Sequence, residues 1–337
     1  MPIVAVDNLS KTYEVSQKDP GFVNAVKHFF HRRTRSIEAV KEISFDIAPG
    51  EMVGFLGPNG AGKTTALKML TGLIHPTSGG VDVLGFRPFD RRADFLRQIT
   101  LVMGQKQQLI WDLPAIDSMR INAAVYDIPE ADYRQRLDQL TDLLEMREQL
   151  TQPVRKLSLG QRMKAELIAA LLHHPKVLFL DEPTLGLDVN AQATVRNFVR
   201  QYNAEHEAAV LLTSHYMADI TALCKRVIII HEGEIMYDGR LDAIVERFAP
   251  YREVKLELES TCSERDLSTY GEVESCEDRA ATLIVRREAL TATISRIMNE
   301  LPVADLTISD PPIEEVIGKA FNTTSKKTES RSDEETE

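Results

Sequence analysis

The sequence predicts an α/β protein built on a largely parallel sheet, and three observations carry that expectation. Over the first 240 residues, short apolar runs of strand length alternate with stretches of helical periodicity, the pattern of a parallel sheet with helices packed on it. A glycine-rich loop, Gly57-Pro58-Asn59-Gly60-Ala61-Gly62-Lys63-Thr64-Thr65, lies between the strand-like run Met52 to Leu56 and a helix expected over Thr64 to Leu73. After Gly239 the pattern changes: Glu253 to Glu259 alternates apolar with charged residues and reads as a strand with one wet face. These features divide the chain into a large domain over 1–240 and a small α/β domain over 241–321. The remaining 322–337 segment is polar, lacks apolar periodicity and is expected to be disordered.

The elements follow in order. Ile3 to Val6 and Ala39 to Ile47 read as strands, with an irregular basic insertion at about 18–36 between them. A helical subdomain is expected over about 106–174. It holds a helix over Tyr133 to Gln149, where Leu137, Leu140, Leu143 and Leu144 fall at helical spacing. Ser158 opens another helix, expected to run to His173 before Pro175 stops it. Lys176 to Leu180 and Ala208 to Thr213 are strand-like runs on either side of a helix over Val189 to Asn203. In the small domain, Ala281 to Val285 and Val303 to Ser309 read as strands around a helix over Glu288 to Leu301, and Pro311-Pro312 begins a last short helix.

Composition sets the bounds. The chain has 337 residues, 43% of them hydrophobic and 27% charged, an ordinary globular balance. No run approaches the roughly 18–20 apolar residues that span a bilayer, and Met1-Pro2-Ile3-Val4-Ala5-Val6 lacks the basic start and apolar core of a signal peptide. A cytoplasmic chain is the expectation. Cys224, Cys262 and Cys276 show no C-x-x-C pairing and read as reduced thiols with packing roles. A net charge of −11 argues against nucleic-acid binding, which rests on neutralising phosphates.

The loop Gly57 to Thr64 fits G-x-x-x-x-G-K-[ST] in a strand–loop–helix context. In such a loop, backbone N–H groups and the helix N-terminus converge on a phosphate. Lys63 is placed to reach the β- and γ-phosphates, and the Thr64 hydroxyl to hold Mg²⁺. Val177 to Glu182 is an apolar strand ending in two carboxylates. Asp181 is a candidate Mg²⁺ ligand, and Glu182 a candidate general base that polarises an attacking water.

With Leu157-Ser158-Leu159-Gly160-Gln161 standing between these motifs, the chain resembles the nucleotide-binding subunit of an ATP-binding cassette (ABC) transporter over about residues 3 to 240. The resemblance implies that Ser158, Gly160 and Gln161 close over the γ-phosphate of ATP held by a second copy, with Leu159 departing from the family glycine. It implies that Tyr13 stacks on adenine and that Gln105 senses the metal and the attacking water, although Gln107 and Gln108 compete for that role and Gly104 replaces a proline common there. Gly186-Leu187-Asp188 corresponds to the loop that crosses the dimer interface, and His215 to the switch histidine at the γ-phosphate. The remaining histidines read as surface or packing residues.

Within the family the nearest likeness is to drug- and lipid-type exporters with separate permease chains. The implied partners are integral-membrane permease subunits and a second copy of the chain, at the cytoplasmic face of a bacterial membrane. The insertion Gly21 to Arg35 sets Phe22, Val23, Val26, Phe29 and Phe30 on one helical face near Lys27, Arg32, Arg33 and Arg35, which suits a permease or an anionic lipid surface. A comparable insertion in polysaccharide-exporter ATPases supplies an alternative function. A soluble ABC ATPase uncoupled from transport is the other, although the chain shows one cassette and no heptad array.

Overall fold

In the computed structural model, which describes residues 1–16, 34–104, 106–313 and 315–318, the chain divides into two compact units, Met1–Gly239 and a second that begins at Arg240. The strands of the first unit are Val4–Ser16 (β1), Thr34–Ile47 (β2), Met52–Leu56 (β3), Ser78–Val83 (β4), Ile99–Met103 (β5), Val177–Asp181 (β6), Ala209–Thr213 (β7), Arg226–His231 (β8) and Glu234–Arg240 (β9). Its main helices are Lys63–Leu70 (α1), Ala115–Val125 (α2), Glu130–Leu143 (α3), Leu159–Leu171 (α4), Val189–His206 (α5) and Met217–Leu223 (α6).

Six strands form one sheet in the order β5-β6-β7-β3-β8-β9, and the pairs β5/β6, β6/β7, β7/β3 and β3/β8 are parallel. Strands covered on both faces need continuous apolar sequence rather than alternation, and all five residues of β7 are buried. A second, antiparallel sheet of order β2-β1-β4 stands beside it. Helix α1 contacts β2, β4 and β6, and Ala66, Leu67, Met69 and Leu70 are fully buried in the core that joins the two sheets. Phe45 and Phe55 meet in that core with ring centroids 6.0 Å apart. Helix α4 packs on β5, α2, α3 and α5, and thereby ties the helical layer to the sheet.

Several boundaries differ from the sequence expectation, each for a local reason. β1 and β2 are far longer than the apolar runs suggested, because they pair with one another out to Ser16 opposite Thr34. Thr34, Arg35 and Ser36 are therefore strand and not insertion. The amphipathic helix expected over Gly21 to Arg35 lies, up to residue 33, outside the described residues. Helix α3 starts at Glu130, one residue after Pro129, and stops at Leu143, because Glu145 takes a left-handed φ of 55°. Met146 and Leu150 remain buried without being helical.

The second unit contains Asp242–Phe248 (α7), Tyr251–Leu258 (β10), Glu272–Glu277 (β11), Ala280–Arg286 (β12), Leu290–Glu300 (α8) and Val303–Ser309 (β13), with a single helical turn at Glu264–Leu267. The sheet order β11-β12-β10-β13, antiparallel throughout, is that of a ferredoxin-like β-α-β-β-α-β unit. Val254 and Leu256 from β10 meet Ala281, Leu283 and Val285 from β12 and Ile297 of α8 in one buried core. β11 escaped the sequence reading because a bulge between Val273 and Ser275 breaks its alternation, so that Val273 and Cys276 both turn toward the core. After Pro312, Ile313 and residues 315–318 are helical, and Val316 is fully buried.

All three cysteines are free thiols. Burial, with help from the Asp219 charge, pushes the Cys224 thiol up to about 12. Cys262 and Cys276 do more than pack separately. Cys262 N donates to Asp278 O at 2.7 Å, and the two sulfurs lie 2.8 Å apart.

Candidate functional site

The carboxyl ends of β5, β6, β7 and β3 lie side by side, with Met103 paired to Asp181 and Asp181 to Thr213. That edge brings together Gly104, Asp181, Glu182, Thr213, Ser214, His215 and the loop Gly57 to Thr65. Crevices outside such strand ends are the usual ligand sites of open α/β sheets.

The loop is held by close backbone approach. Gly62 has φ 107°, and a Cβ there would lie 2.3 Å from Ala39 O, so only glycine fits. Gly62 caps α1 without any side-chain hydrogen bond, which leaves the first-turn N–H groups for an anion. Lys63 Nζ donates to Gly57 O at 2.7 Å and Pro58 O at 2.9 Å. Burial lowers the Lys63 pKa, opposed by the charges of Glu182 and Asp181. Asn59 and Gly60 are exposed at the loop tip, and Thr64 and Thr65 are half-buried.

Two carboxylates face this amine. Thr64 Oγ1 donates to Asp181 Oδ2 at 3.0 Å, and Thr213 Oγ1 donates to Asp181 Oδ1 at 2.7 Å. Glu182 N donates to Thr213 Oγ1 at 3.1 Å, which fixes the next residue as well. Glu182 itself adopts φ 55°, a conformation that costs on the order of 1–3 kcal/mol and persists only when its surroundings dictate it. His215 Nε2 lies 2.8 Å from Glu182 Oε1, so an imidazole N–H can hold the carboxylate in place. Among the described residues no group of three or more His, Cys, Asp or Glu could hold a metal by itself. The Thr64 hydroxyl and the Asp181 carboxylate are instead a hard-oxygen pair of the kind that shares Mg²⁺ with phosphates.

Gly104 has a structural reason to be neither proline nor any larger residue. Its N–H donates to Asp181 O at 2.8 Å, and a Cβ would come within 2.2 Å of Glu182 O. Gln105 lies outside the described residues. Of its competitors, the Gln108 side chain donates to Leu101 O at 2.9 Å.

Ser158 stands at the N-terminus of α4 in a capping box: Gln161 N donates to Ser158 Oγ at 3.2 Å and Ser158 N to Gln161 Oε1 at 3.0 Å. The cap uses the hydroxyl only as acceptor, so its hydrogen is free to meet an anion at an exposed helix N-terminus. Leu159 is 46% exposed, and Gly160 packs close to Ala191. Asp188 caps α5 through Ala191 N at 2.9 Å. Tyr13 is paired with Ile37 in the β1–β2 ladder, two positions from Ala39, whose carbonyl abuts Gly62. Lys11 Nζ sits 5.2 Å from its ring centre.

Sequence reasoning missed two groups here. Thr213 was read only as the end of a strand, yet the β6–β7 register lets its hydroxyl hold the Asp181 carboxylate and the Glu182 backbone N–H. Asp219 of α6 is 1% exposed and ties the site together: it accepts from Ser214 Oγ at 2.6 Å and from Thr184 Oγ1, and pairs with Arg196 at 2.8 Å. Removing one member of such a buried pair strands the other. Asp219→Ala is expected to lower unfolding stability by about 3–5 kcal/mol, read as a reduced midpoint in a denaturant titration.

Residues 40–185 match the ABC transporter family model and residues 250–309 match that of the EvrA-like ABC transporter C-terminal domain. ABC transporter ATP-binding protein NatA of Bacillus subtilis is 34% identical over 217 residues, covering 64% of this chain and 88% of the relative. This chain is an ATP-binding subunit of the ABC transporter family. Nod factor export ATP-binding protein I of Burkholderia thailandensis is 34% identical over 207 residues, covering 61% of this chain and 67% of the relative. A solved ATP-binding subunit of an ABC transporter superposes with a TM-score of 0.61 at 27% identity, covering 73% of this chain and 93% of that one. The ABC subunit is accordingly an ATP hydrolase of the transport type. ABC ATPases work with membrane permease subunits, and no described helix of this one is long and apolar enough to cross a membrane.

Proposed function

We propose that this ABC subunit powers an exporter by closing head to tail with a second copy over two ATP molecules and driving separate permease chains. The observation that carries the reading is Ser158. Among the described residues its side chain bonds only to the Gln161 backbone, and it sits exposed at the start of α4. Its donor and the neighbouring N–H groups suit a phosphate presented by another molecule.

Within each composite site, Lys63 and the N–H groups of the Gly57–Thr65 loop hold the phosphates, and Tyr13 stacks on the base. Thr64 and Asp181 would hold Mg²⁺, with Gln105 as a further ligand, and the ion would neutralise phosphate charge there. Glu182 takes a proton from the attacking water, while His215 orients that carboxylate and faces the γ-phosphate. Export is the direction that fits the motif likeness and the name of the Nod factor relative.

A permease is the partner that fits an exposed apolar cluster beyond β5: Ile110, Trp111 and Leu113 are 44%, 43% and 36% exposed on one short segment. The subunit then works at the cytoplasmic face of the membrane.

The dimer reading has a direct test. ATP hydrolysis by the isolated subunit should rise more than linearly with protein concentration, because each active site needs two chains. A strictly linear rate across a hundredfold range, with the subunit monomeric by light scattering in ATP, contradicts it.

A further inference from the structure

Glu166, in the middle of α4, is 3% exposed among the buried residues Ala165, Leu167, Ile168 and Ala169. A helix position that served only to fill space there would be apolar. Its carboxylate instead accepts three backbone hydrogen bonds: Gln108 N lies 3.0 Å from each oxygen, and Leu109 N lies 3.2 Å from Oε1. Burial raises the carboxyl pKa, while those N–H groups and the nearby Arg162 charge lower it. Backbone N–H groups of this kind stabilise a carboxylate without a direct ion pair.

The same stretch is tied to α4 and its leading turn at further points. The Arg162 guanidinium lies 4.5 Å from the Trp111 ring centre. Arg155 donates from its backbone to Trp111 O at 3.1 Å and from its side chain to Asp112 at 3.0 Å, and Val154 N donates to Leu113 O at 3.0 Å. The segment 108–113 follows Gln105 by three residues, and α4 is the helix that presents Ser158.

We propose that Glu166 is a positioning residue that locks residues 108–109 to α4, so that the segment following Gln105 and the helix bearing Ser158 move as one body when ATP engages. It acts through these elements and touches no substrate. The inference rests on the reading that Ser158 works on ATP held by a second copy. A displacement imposed on Ile110, Trp111 and Leu113 would then reach Ser158 through Glu166.

Trp111 is the single tryptophan of the chain, so it reports on this segment without labelling. In the parent subunit, Mg-ATP should change Trp111 emission. Glu166→Ala takes the carboxylate partner from the Gln108 and Leu109 N–H groups, the second of them buried, and should lose that change. Its kcat should fall about 10–100-fold, as misplacement of a catalytic group does, with ATP affinity within about twofold because the phosphate loop lies on other elements. Glu166→Gln keeps a carbonyl oxygen at the Oε1 position, the one that serves both N–H groups, and should recover most of both signals. Thermal melts of all three proteins separate this from unfolding. Parental kcat and a parental emission change in Glu166→Ala overturn the proposal, as does a parent whose Trp111 emission ignores ATP. So does an equal loss in both variants that tracks only the folded fraction. If Ser158→Arg abolishes hydrolysis while Glu166→Ala does not, the coupling fails and the shared site stands. If Ser158→Arg hydrolyses normally, the shared site fails and the coupling falls with it.

Discussion

Glu182→Gln is expected to bind ATP with parental affinity and to hydrolyse it about 10²–10⁴-fold more slowly, the usual consequence of losing a general base. The substitution is nearly isosteric, so the backbone at φ 55° and the bonds to Thr213 should persist. The amide still accepts the His215 N–H but cannot take a proton from water. Bound ATP should then accumulate the two-chain form, seen as an ATP-dependent shift on size exclusion. Hydrolysis at the parental rate would remove Glu182 from the role and leave Asp181 as the only other carboxylate at that strand end. Asp181 is held by two hydroxyls, Thr64 and Thr213, which suits a ligand better than a base.

Ser158→Arg should abolish hydrolysis while leaving ATP binding to the chain's own loop intact. Loss of the capping hydroxyl alone costs about 1 kcal/mol of stability, far too little to unfold a domain of this size. The larger effect is local. A long cation replaces the small donor at the N-terminus of α4 and blocks close approach of a phosphate to that turn. Parental turnover in this variant would show that the exposed start of α4 takes no part in the reaction. A fall in ATP affinity matching the fall in rate would place Ser158 in the chain's own binding site.

The parts of this site that were legible in the sequence are those whose chemistry is local in the chain. The loop Gly57 to Thr65 announces itself because a strand, a glycine turn and a helix must follow one another directly. Asp181 and Glu182 were legible because they end an apolar strand. What was hidden depends on partners distant in sequence. Thr213 becomes the clamp on Asp181 only through the parallel β6–β7 register. Asp219 and Glu166 look like ordinary helix carboxylates until packing buries them. Among the elements, β11 was masked by its bulge, and the ends of β1 and β2 by polar sequence that pairs only because each strand finds the other.

The central claim is that each working site joins the phosphate loop of one chain to the helix start of another, and a mixing experiment tests it most directly. A Lys63→Ala chain lacks the amine that holds phosphate but keeps Ser158. A Ser158→Arg chain keeps its loop but lacks the small donor at α4. Each alone should be inactive, because every homodimeric site contains one damaged half. Mixed, they form heterodimers in which one site pairs the intact loop of the second chain with the intact Ser158 of the first. The account predicts that ATPase activity appears on mixing and reaches a maximum near equal amounts of the two chains. No recovery, with heterodimer formation demonstrated by differential tagging, would contradict the shared site.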